Sequence, residues 1–151
     1  MPQSHAQIYL HVVFSMKLRR PFLQNRELRL RMHSYMGGII NGSGCSSIRV
    51  GGVEDHVHCL TRFSRTISVA DFIRDLKKDS SKWVKDSEPR SQGFQWLTGY
   101  GAFSLSPSHV DGLVAYIENQ EEHHRQETFQ DELRRLMLKY GIEWDEQYVW
   151  D

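Results

Sequence analysis

The sequence predicts an α+β fold in which an antiparallel sheet carries helices mainly on one face. Short apolar segments with the alternation of β-strands are interleaved with longer segments whose apolar residues recur every three to four positions. Residues suited to helix capping stand at the start of the longer segments. The order along the chain is strand, helix, two strands, helix and strand, and two further helical segments follow.

The first half of the chain predicts a strand, a helix and a hairpin. Residues 7–16 alternate two largely apolar sets, which is typical of a central strand. Asn25 can cap a helix that runs to about Ile40. Residues 46–53 and 56–63 predict the two strands of the hairpin. The buried stripe of the helix is expected to contain Leu28, Met32, Tyr35, Met36 and Ile39.

The middle of the chain predicts a second helix and a last strand. Ser68 can cap a helix whose apolar residues fall on one side while basic residues project elsewhere. Residues 94–96 and 100–105 then predict a strand. With the preceding elements, this order is that of a ferredoxin-like fold.

Two more helices are predicted after this unit. Ser106 is a suitable cap and Pro107 fits a first helical turn, which favours a helix over residues 107–125. Thr128 favours a last helix. The whole chain, residues 1–151, is expected to form one domain, because 39% hydrophobic residues suffice for a single core at this length.

Composition argues against a secreted or membrane protein. The segment before the first strand lacks the charged and apolar regions of a signal peptide, and no apolar run approaches the roughly 20 residues that a membrane span needs. We therefore expect a cytoplasmic protein. Cys45 and Cys59 have neither metal-finger nor redox spacing, so we expect two buried thiols without chemistry.

Charge is distributed unevenly along the chain although the formal net charge is zero. Residues 1–90 carry an excess of Lys and Arg, and residues 91–151 carry an excess of Asp and Glu. The first 53 residues contain seven basic residues and one acid, Glu27. This bias favours a positive surface for phosphate groups, but a solvated basic helix face would explain it equally well.

Two histidines and a tyrosine–glutamine pair carry the predicted chemistry. His56 and His58 lie two apart in a predicted strand, so both imidazoles point to one face, where they suit a divalent metal. Tyr116 and Gln120 lie about one turn apart in a predicted helix and share a face. One rigid helix could therefore offer a hydroxyl and an amide oxygen to the same point. These are the parts of a metal-assisted phosphoryl-transfer site.

Five segments of the chain, in their order along the sequence, resemble the sequence pattern of a known family. They are residues 9–20, 56–58, 75–83, 99–106 and 116–120. The chain resembles the HUH nucleases, which have two histidines separated by a hydrophobic residue and a tyrosine nucleophile. It resembles in particular the single-tyrosine HUH transposases of bacterial insertion sequences, including transposases associated with repetitive extragenic palindromes.

The resemblance implies a function and a set of site residues. Tyr116 would be the catalytic nucleophile that forms a 5′-phosphotyrosine bond in single-stranded DNA, and His56, His58 and Gln120 would hold Mg²⁺ or Mn²⁺. A 3′-hydroxyl of a second strand could then displace the tyrosine, so the reaction is cutting and rejoining. For recognition of DNA hairpins at the element ends we expect contacts from Lys17, Arg19, Arg20, Lys77, Lys78 and Lys82.

The resemblance also implies an assembly. The family has the ferredoxin-like fold with the tyrosine helix added after it, in the bacterial cytoplasm. A homodimer is expected, because one nucleophile cuts one strand and two transposon ends require two sites. The tyrosine helix could complete the site of its own chain or that of the partner, and the sequence leaves both arrangements open.

Several residues have alternative interpretations. If the strand of the histidines extends over residues 53–64, Glu54 shares a face with His56 and His58 and could be a ligand or a base, although it would repel a phosphate. His123 and His124 could orient the site or lie exposed. Three aromatic side chains could stack on bases or pack in the core, namely Trp83, Trp96 and Phe103.

Two other functions use the same histidines. A domesticated relative could bind and nick chromosomal palindromic repeats without moving itself. A metal-dependent phosphoesterase could use His56 and His58 without Tyr116. A noncatalytic DNA-binding protein is disfavoured, because all four residues of the predicted site are present.

Overall fold

The computed structural model describes residues 4–17, 22–147 and 149–150 of the chain. Within these ranges, four strands form one antiparallel sheet in the spatial order β2-β3-β1-β4. The strands are β1 (Ile8–Ser15), β2 (Ser46–Gly52), β3 (His56–Phe63) and β4 (Gly101–Leu105). With β1 and β3 in the centre, this is the ferredoxin-like order, and the predicted α+β fold class is confirmed.

Helices cover both faces of the sheet. The helices are α1 (Arg26–Gly42), α2 (Val69–Ser87), α3 (Val110–Glu118), α4 (Gln120–His123) and α5 (Phe129–Lys139). α1 and α2 pack on one face, whereas α3, α4 and α5 lie on the other. No helix in the described part of the chain is both long and apolar enough to cross a membrane.

The face under α1 and α2 is apolar and is called the apolar face below. It consists of Leu10, Val12 and Phe14 of β1 with Val57 and Cys59 of β3, all buried. Strand alternation places these side chains together, because Val12 lies opposite Cys59 and Phe14 lies opposite Val57. The helices add a second apolar layer, with Met32, Met36 and Ile40 from α1 and Phe72, Ile73 and Leu76 from α2.

The opposite face is called the polar face. It consists of His11, Val13 and Ser15 of β1 with His56 and His58 of β3, and all five are buried. The three C-terminal helices exclude water from it. The two histidines of the predicted site, His56 and His58, therefore lie on the side of the sheet away from α1 and α2.

Side-chain caps start three of the helices as the sequence predicts. The Asn25 side chain accepts a hydrogen bond from the backbone N–H of Leu28 at 3.2 Å, at the start of α1. Ser68 accepts one from Asp71 at 3.0 Å, at the start of α2. Thr128 caps α5 in the same way. Each cap satisfies an amide of the first turn that has no partner within its helix.

The prediction of one continuous helix over residues 107–125 is wrong. A 3₁₀ turn over Pro107–His109 precedes α3, and the Ser106 side chain makes no capping hydrogen bond. α3 ends at Glu118, and Asn119, with φ −95° and ψ 15°, separates it from α4. An asparagine side chain competes for backbone hydrogen bonds and so disfavours a helix interior, which gives a physical reason for a break at this residue.

Two smaller expectations also differ from the structure. Residues 94–96 do not join the last strand, since Trp96 pairs only with Met16 through an isolated bridge. Tyr35, expected on the buried stripe of α1, is 42% exposed and stacks on Trp83 at 5.4 Å between ring centroids. Trp96 and Phe103 are buried in the core, in agreement with the packing alternative. Both cysteines are free and buried.

Candidate active site

His56 and His58 lie side by side on the polar face. Both side chains are fully buried, and their ring centroids are 5.3 Å apart. Each ring uses its Nδ1 atom for a second contact. His56 Nδ1 lies 2.8 Å from Asp55 Oδ1, and His58 Nδ1 lies 2.8 Å from His11 Nε2. Contacts of this kind fix the ring orientation, so both Nε2 atoms are directed to the same point above the sheet.

α3 approaches the sheet closely at Gly51 of β2, which lies opposite His58. A Cβ atom on Gly51 would lie 2.8 Å from Cγ2 and 3.0 Å from the carbonyl oxygen of Ile117. Ile117 is buried against the strand at this point. The glycine therefore permits the close approach that brings the end of α3 to the histidines.

Tyr116 and Gln120 both reach the histidines. Gln120 is buried, and its Oε1 atom lies 3.1 Å from His56 Nε2. The ring of Tyr116 lies 5.8 Å from the ring of His58 between centroids. Because Asn119 interrupts the helix, the two side chains come from consecutive helices rather than from one helix. The structure thus brings all four predicted residues of the site together within one chain.

A carboxylate that the sequence prediction missed lies at the centre of this group. Glu132 of α5 is fully buried. Its Oε1 atom lies 2.9 Å from His58 Nε2 and 3.2 Å from His56 Nε2. Its Oε2 atom accepts hydrogen bonds from the Tyr116 hydroxyl and, at 3.0 Å, from Gln120 Nε2. Glu132 therefore contacts each of the four predicted residues.

The charges in this group depend on one another. Burial would lower the pKa of His56, but Asp55 and Glu132 outweigh it and raise this pKa to about 9. Burial lowers the pKa of His58, despite the opposing effect of Glu132. Burial would raise the pKa of Glu132, yet the imidazoles of His124, His56 and His58 hold it far below its usual range. Without a metal, His56 therefore carries its proton beside an ionised Glu132, and a cation bound at this point would take the place of that proton.

The two further histidines of the sequence border the same carboxylate. His124 Nε2 lies 3.2 Å from Glu132 Oε1, and its side chain is only 8% exposed. Among the described residues, no contact of this nitrogen, including the one with Glu132, has the alignment of a hydrogen bond. His123 is more exposed, and its Nε2 lies 3.4 Å from the Tyr116 hydroxyl. His124 thus belongs to the buried group, and His123 lies at its edge.

The donor atoms fit a divalent metal. One donor from each of His56, His58 and Glu132 lies within 4.8 Å of the others, and the same holds for His123, His124 and Glu132. Imidazole nitrogens and carboxylate oxygens are ligands of divalent cations such as Mn²⁺, and the described donors include no thiolate. The buried His124 nitrogen, 3.2 Å from Glu132 Oε1, is a further donor at this point.

The Tyr116 hydroxyl lies between two charged groups of α5. Glu132 Oε2 accepts its hydrogen bond, and Arg135 Nη2 donates to the hydroxyl oxygen over 2.8 Å. Burial and the charge of Glu132 raise the pKa of Tyr116, although Arg135 acts in the opposite direction. The hydroxyl is therefore protonated at neutral pH, and a proton acceptor must assist it as a nucleophile.

A groove between α3 and α5 opens beside Tyr116. It has a volume of about 600 Å³. Gly112 and Tyr116 line it from α3, and the basic residues Arg135 and Lys139 line it from α5. Both basic side chains are exposed. The groove gives an anionic chain access to the hydroxyl, with positive charge along one wall.

Acidic residues next to the site in the sequence are paired with basic residues of α1 and β2. Glu118 forms a 2.6 Å ion pair with Arg49. Glu121 contacts both Arg26 and Arg29 at 2.8 Å. These pairs offset negative charge near the site. They also engage three of the seven basic residues from the first 53 residues, so the positive surface expected there is reduced.

Three of the expected DNA-binding residues follow β1 in the sequence. Lys17 is exposed directly after the strand. Arg19 and Arg20 lie outside the described residues. The role of these three residues in binding DNA stays a prediction.

The other three expected DNA-binding residues belong to α2. Lys77 donates to three successive carbonyl oxygens of residues 97–99 at 2.6–3.1 Å, and burial lowers its pKa to about 8. Lys77 therefore holds the segment before β4 in place. Lys78 and Lys82 are exposed. Because α2 covers the apolar face, all three lie across the sheet from His56.

The sequence does contain a pattern that indicates the role of Glu132. Glu132 falls on the stripe of α5 that also contains Phe129, Leu133 and Leu136, and a glutamate on a buried stripe requires a partner. By contrast, Glu54, the other candidate ligand in the sequence, lies exposed in the turn before β3. The strand expected to carry Glu54 toward the site begins only at His56.

Fold and site together define a class of protein. A ferredoxin-like sheet carries two buried histidines on a central strand, and a tyrosine on a later helix reaches them, as in the single-tyrosine HUH proteins. The family described as "Transposase IS200 like" matches residues 4–120. The chain belongs to this family of transposases, which are enzymes that transfer DNA strands.

Solved structures share the fold. A candidate transposase from Deinococcus radiodurans R1 superposes with a TM-score of 0.64 at 22% sequence identity, covering 80% of this chain and 98% of that one. A REP-associated tyrosine transposase bound to a REP hairpin superposes with a TM-score of 0.59 at 12% identity, covering 82% of this chain and 73% of that one. No curated protein matches the chain.

Proposed function

We propose that this transposase nicks and rejoins single-stranded DNA through a 5′-phosphotyrosine intermediate formed on Tyr116. One observation carries the proposal. The Tyr116 hydroxyl lies at the mouth of a basic groove and contacts Glu132, the carboxylate that also touches His56 and His58. A nucleophile, a carboxylate that orients it and a metal-binding pair thus meet at one point.

Tyr116 carries out the bond exchange. Its oxygen attacks the scissile phosphorus, so that an O–P bond forms while the bond from phosphorus to the 3′ oxygen breaks. Glu132 Oε2 accepts the hydrogen bond of the phenol and orients it toward the phosphate. The phenolic proton passes to solvent as the O–P bond forms, and the leaving 3′ oxygen takes a proton from solvent. Arg135 donates to the tyrosyl oxygen and stabilises the negative charge that develops there and on the phosphate.

The histidines, with Gln120, provide the metal-binding part of the site. A divalent metal held by His56, His58 and Gln120, either Mg²⁺ or Mn²⁺, would polarise a non-bridging phosphate oxygen. Asp55 and His11 keep both imidazoles oriented for this role. Gln120 adds a neutral oxygen donor from the first residue of α4.

The covalent intermediate conserves the energy of the phosphodiester. A 3′-hydroxyl of another strand can therefore attack the phosphotyrosine, regenerate the Tyr116 hydroxyl and join the two strands without ATP. Hairpin DNA at the element ends is the proposed substrate, supported by the similar fold of a transposase bound to a REP hairpin. Lys78 and Lys82, exposed across the sheet, are candidates for hairpin contacts away from the cut.

We also propose that each site acts with its own tyrosine in a homodimer in the bacterial cytoplasm. The contacts of Tyr116 with His58 and Glu132 of the same chain support action in cis. Two transposon ends still require two sites, which a twofold dimer supplies. The same site would serve a domesticated relative that nicks chromosomal palindromic repeats, an alternative favoured by the fold similarity to the REP-associated enzyme.

The test is a covalent trapping experiment. The protein is mixed with labelled single-stranded hairpin oligonucleotides from the DNA that flanks its gene, together with Mn²⁺ or Mg²⁺. We expect a denaturant-resistant adduct that Tyr116→Phe abolishes. The matched control is Tyr35→Phe, since Tyr35 is a half-exposed tyrosine of α1 on the other side of the sheet.

Two results would contradict the proposal. Cleavage that survives Tyr116→Phe would indicate a metallohydrolase that uses water. Metal-dependent DNA binding without an adduct would indicate a binding protein.

A further inference from the structure

The last helix, α5, supplies the site with a residue from outside the part of the chain that defines the family. The family match ends at residue 120, whereas α5 spans Phe129–Lys139. Even so, Glu132 of α5 is fully buried at the centre of the histidine group. Its contribution is therefore a property of this chain that family membership does not supply.

The two carboxylate oxygens of Glu132 face different partners. Oε1 lies among imidazole nitrogens, at 2.9 Å from His58, 3.2 Å from His56 and 3.2 Å from His124. Oε2 accepts hydrogen bonds from Tyr116 and Gln120. One oxygen thus points to the metal-binding pair, while the other points to the nucleophile.

Packing argues against Glu132 as an ordinary core residue. Its neighbours on the buried side of α5 are apolar, and they pack with Val13 and Phe103 of the sheet. Removing a carboxylate from water is costly unless charges and hydrogen bonds compensate, and an apolar residue at this position would avoid that cost. A carboxylate here is explained if it binds a cation.

We propose that Glu132 is a ligand, through Oε1, of the metal bound by His56 and His58. This inference rests on the metal site of the proposed function and adds a carboxylate oxygen, as a fourth donor, to those of His56, His58 and Gln120. The three donor atoms already lie within 4.8 Å of one another. Two imidazoles, one amide oxygen and one carboxylate suit a divalent transition metal that keeps open positions, so Mn²⁺ should bind more tightly than Mg²⁺.

The proposal also gives α5 a role in positioning the nucleophile. Metal bound through Oε1 would leave Oε2 on the Tyr116 hydroxyl, and Arg135 stands one turn further along the helix on the same hydroxyl. The metal would then fix the helix that positions the nucleophile. Glu132 is thus both a metal ligand and the contact between the metal-binding pair and the tyrosine.

Calorimetric titration of the full-length, chelator-treated protein with Mn²⁺ tests this directly. We expect Glu132→Gln, which preserves shape but removes the charge, to weaken binding at least about tenfold. Glu122→Gln makes the same change at an exposed residue of α4 that pairs with Arg125, and it should leave binding unaltered. Unchanged or tighter binding by Glu132→Gln would overturn the proposal.

A second measurement needs no variant at Glu132 and covers the case that Glu132→Gln does not fold. Hydrogen exchange of the wild-type amides is followed with and without Mn²⁺. If Glu132 binds the metal, amides of α5 should exchange several-fold more slowly when the metal is present. Unchanged or faster exchange in α5 would mean that the metal binds without the carboxylate or expels it.

The proposed function and this inference can fail separately. Glu132-dependent metal binding without any DNA adduct would retain the inference and contradict strand transfer. A Tyr116-dependent adduct, together with Mn²⁺ binding that Glu132→Gln leaves unchanged, would support the proposed function and contradict the inference.

Discussion

The two faces of the sheet are both buried, but their burial has different requirements. The apolar face carries side chains such as Val12 and Phe14 under α1 and α2, and it needs only volumes that fit. The polar face carries His56 and His58 under α3, α4 and α5, and each buried donor or acceptor there needs a partner. The first face thus provides stability, and the second provides a site whose parts depend on one another.

The largest expected effect on stability comes from the apolar face. Phe72 of α2 is 2% exposed and packs on Phe63 at 5.3 Å between ring centroids. Phe72→Ala should lower the free energy of unfolding by about 3–5 kcal/mol, since it removes buried contacts and leaves a cavity. Urea denaturation measures this loss.

The same variant tests whether the faces are separate. At low temperature, where Phe72→Ala remains folded, Mn²⁺ should bind as it does to the wild type. Leu138→Ala serves as the control, because Leu138 is 70% exposed on α5 and should change stability by less than about 0.5 kcal/mol. Weaker metal binding by folded Phe72→Ala would show that the apolar face also sets the geometry of the site.

A buried imidazole outside the polar face provides a smaller, pH-dependent effect. His33 of α1 is 7% exposed, and its Nε2 has no hydrogen-bond partner in the described part of the chain. Burial, with the nearby charge of Arg29, lowers its pKa to about 4, although Glu121 acts in the opposite direction. His33 is therefore buried as a neutral group.

The sign of the pH effect follows from this pKa. Between about pH 6.5 and pH 4, the unfolded chain binds a proton at His33 and the folded chain does not, so stability falls as the pH is lowered. The loss should reach about 3 kcal/mol at pH 4. His33→Leu removes this contribution, so its stability relative to the wild type should rise by that amount between pH 7 and pH 4. A stability difference between His33→Leu and the wild type that stays constant from pH 7 to pH 4 would contradict the prediction.

The two faces also differ in how well the sequence predicts them. Alternation of apolar residues predicts β1 and β3 closely, and the capping residues Asn25 and Ser68 predict the starts of both helices on the apolar face. Both signals are local, since they depend on the pleat of a strand or on the first turn of a helix.

The polar face depends on contacts between distant residues, which local patterns do not contain. Spacing relates Tyr116 to Gln120, but the contacts of Glu132 with His56 and His58 join residues more than seventy positions apart. The position of α5 over the sheet decides those contacts. Lys77 shows the same limit, because its sequence context indicates a basic surface residue, whereas its ammonium group binds backbone carbonyls.

The smallest predicted loss of stability comes from Gly51, where α3 packs against β2 over the polar face. Gly51→Ala would place a Cβ atom 2.8 Å from a side-chain carbon of Ile117 and 3.0 Å from its carbonyl oxygen, so α3 must move away from β2. Overpacking of this kind should cost about 2 kcal/mol of stability. It should also lower the yield of the DNA adduct, because the movement carries Tyr116 away from the histidines.

Gly38→Ala is the matched control for this change. Gly38 lies within α1, and no described atom outside its own helix turn lies within 4 Å of an added Cβ atom. Alanine favours a helix over glycine by up to about 1 kcal/mol, so this variant should gain stability and keep its adduct yield. Equal behaviour of the two variants would mean that the approach of α3 to β2 is not needed. The polar face would then be held closed by α5 and Glu132 alone, and the tyrosine could reach the site without a fixed α3.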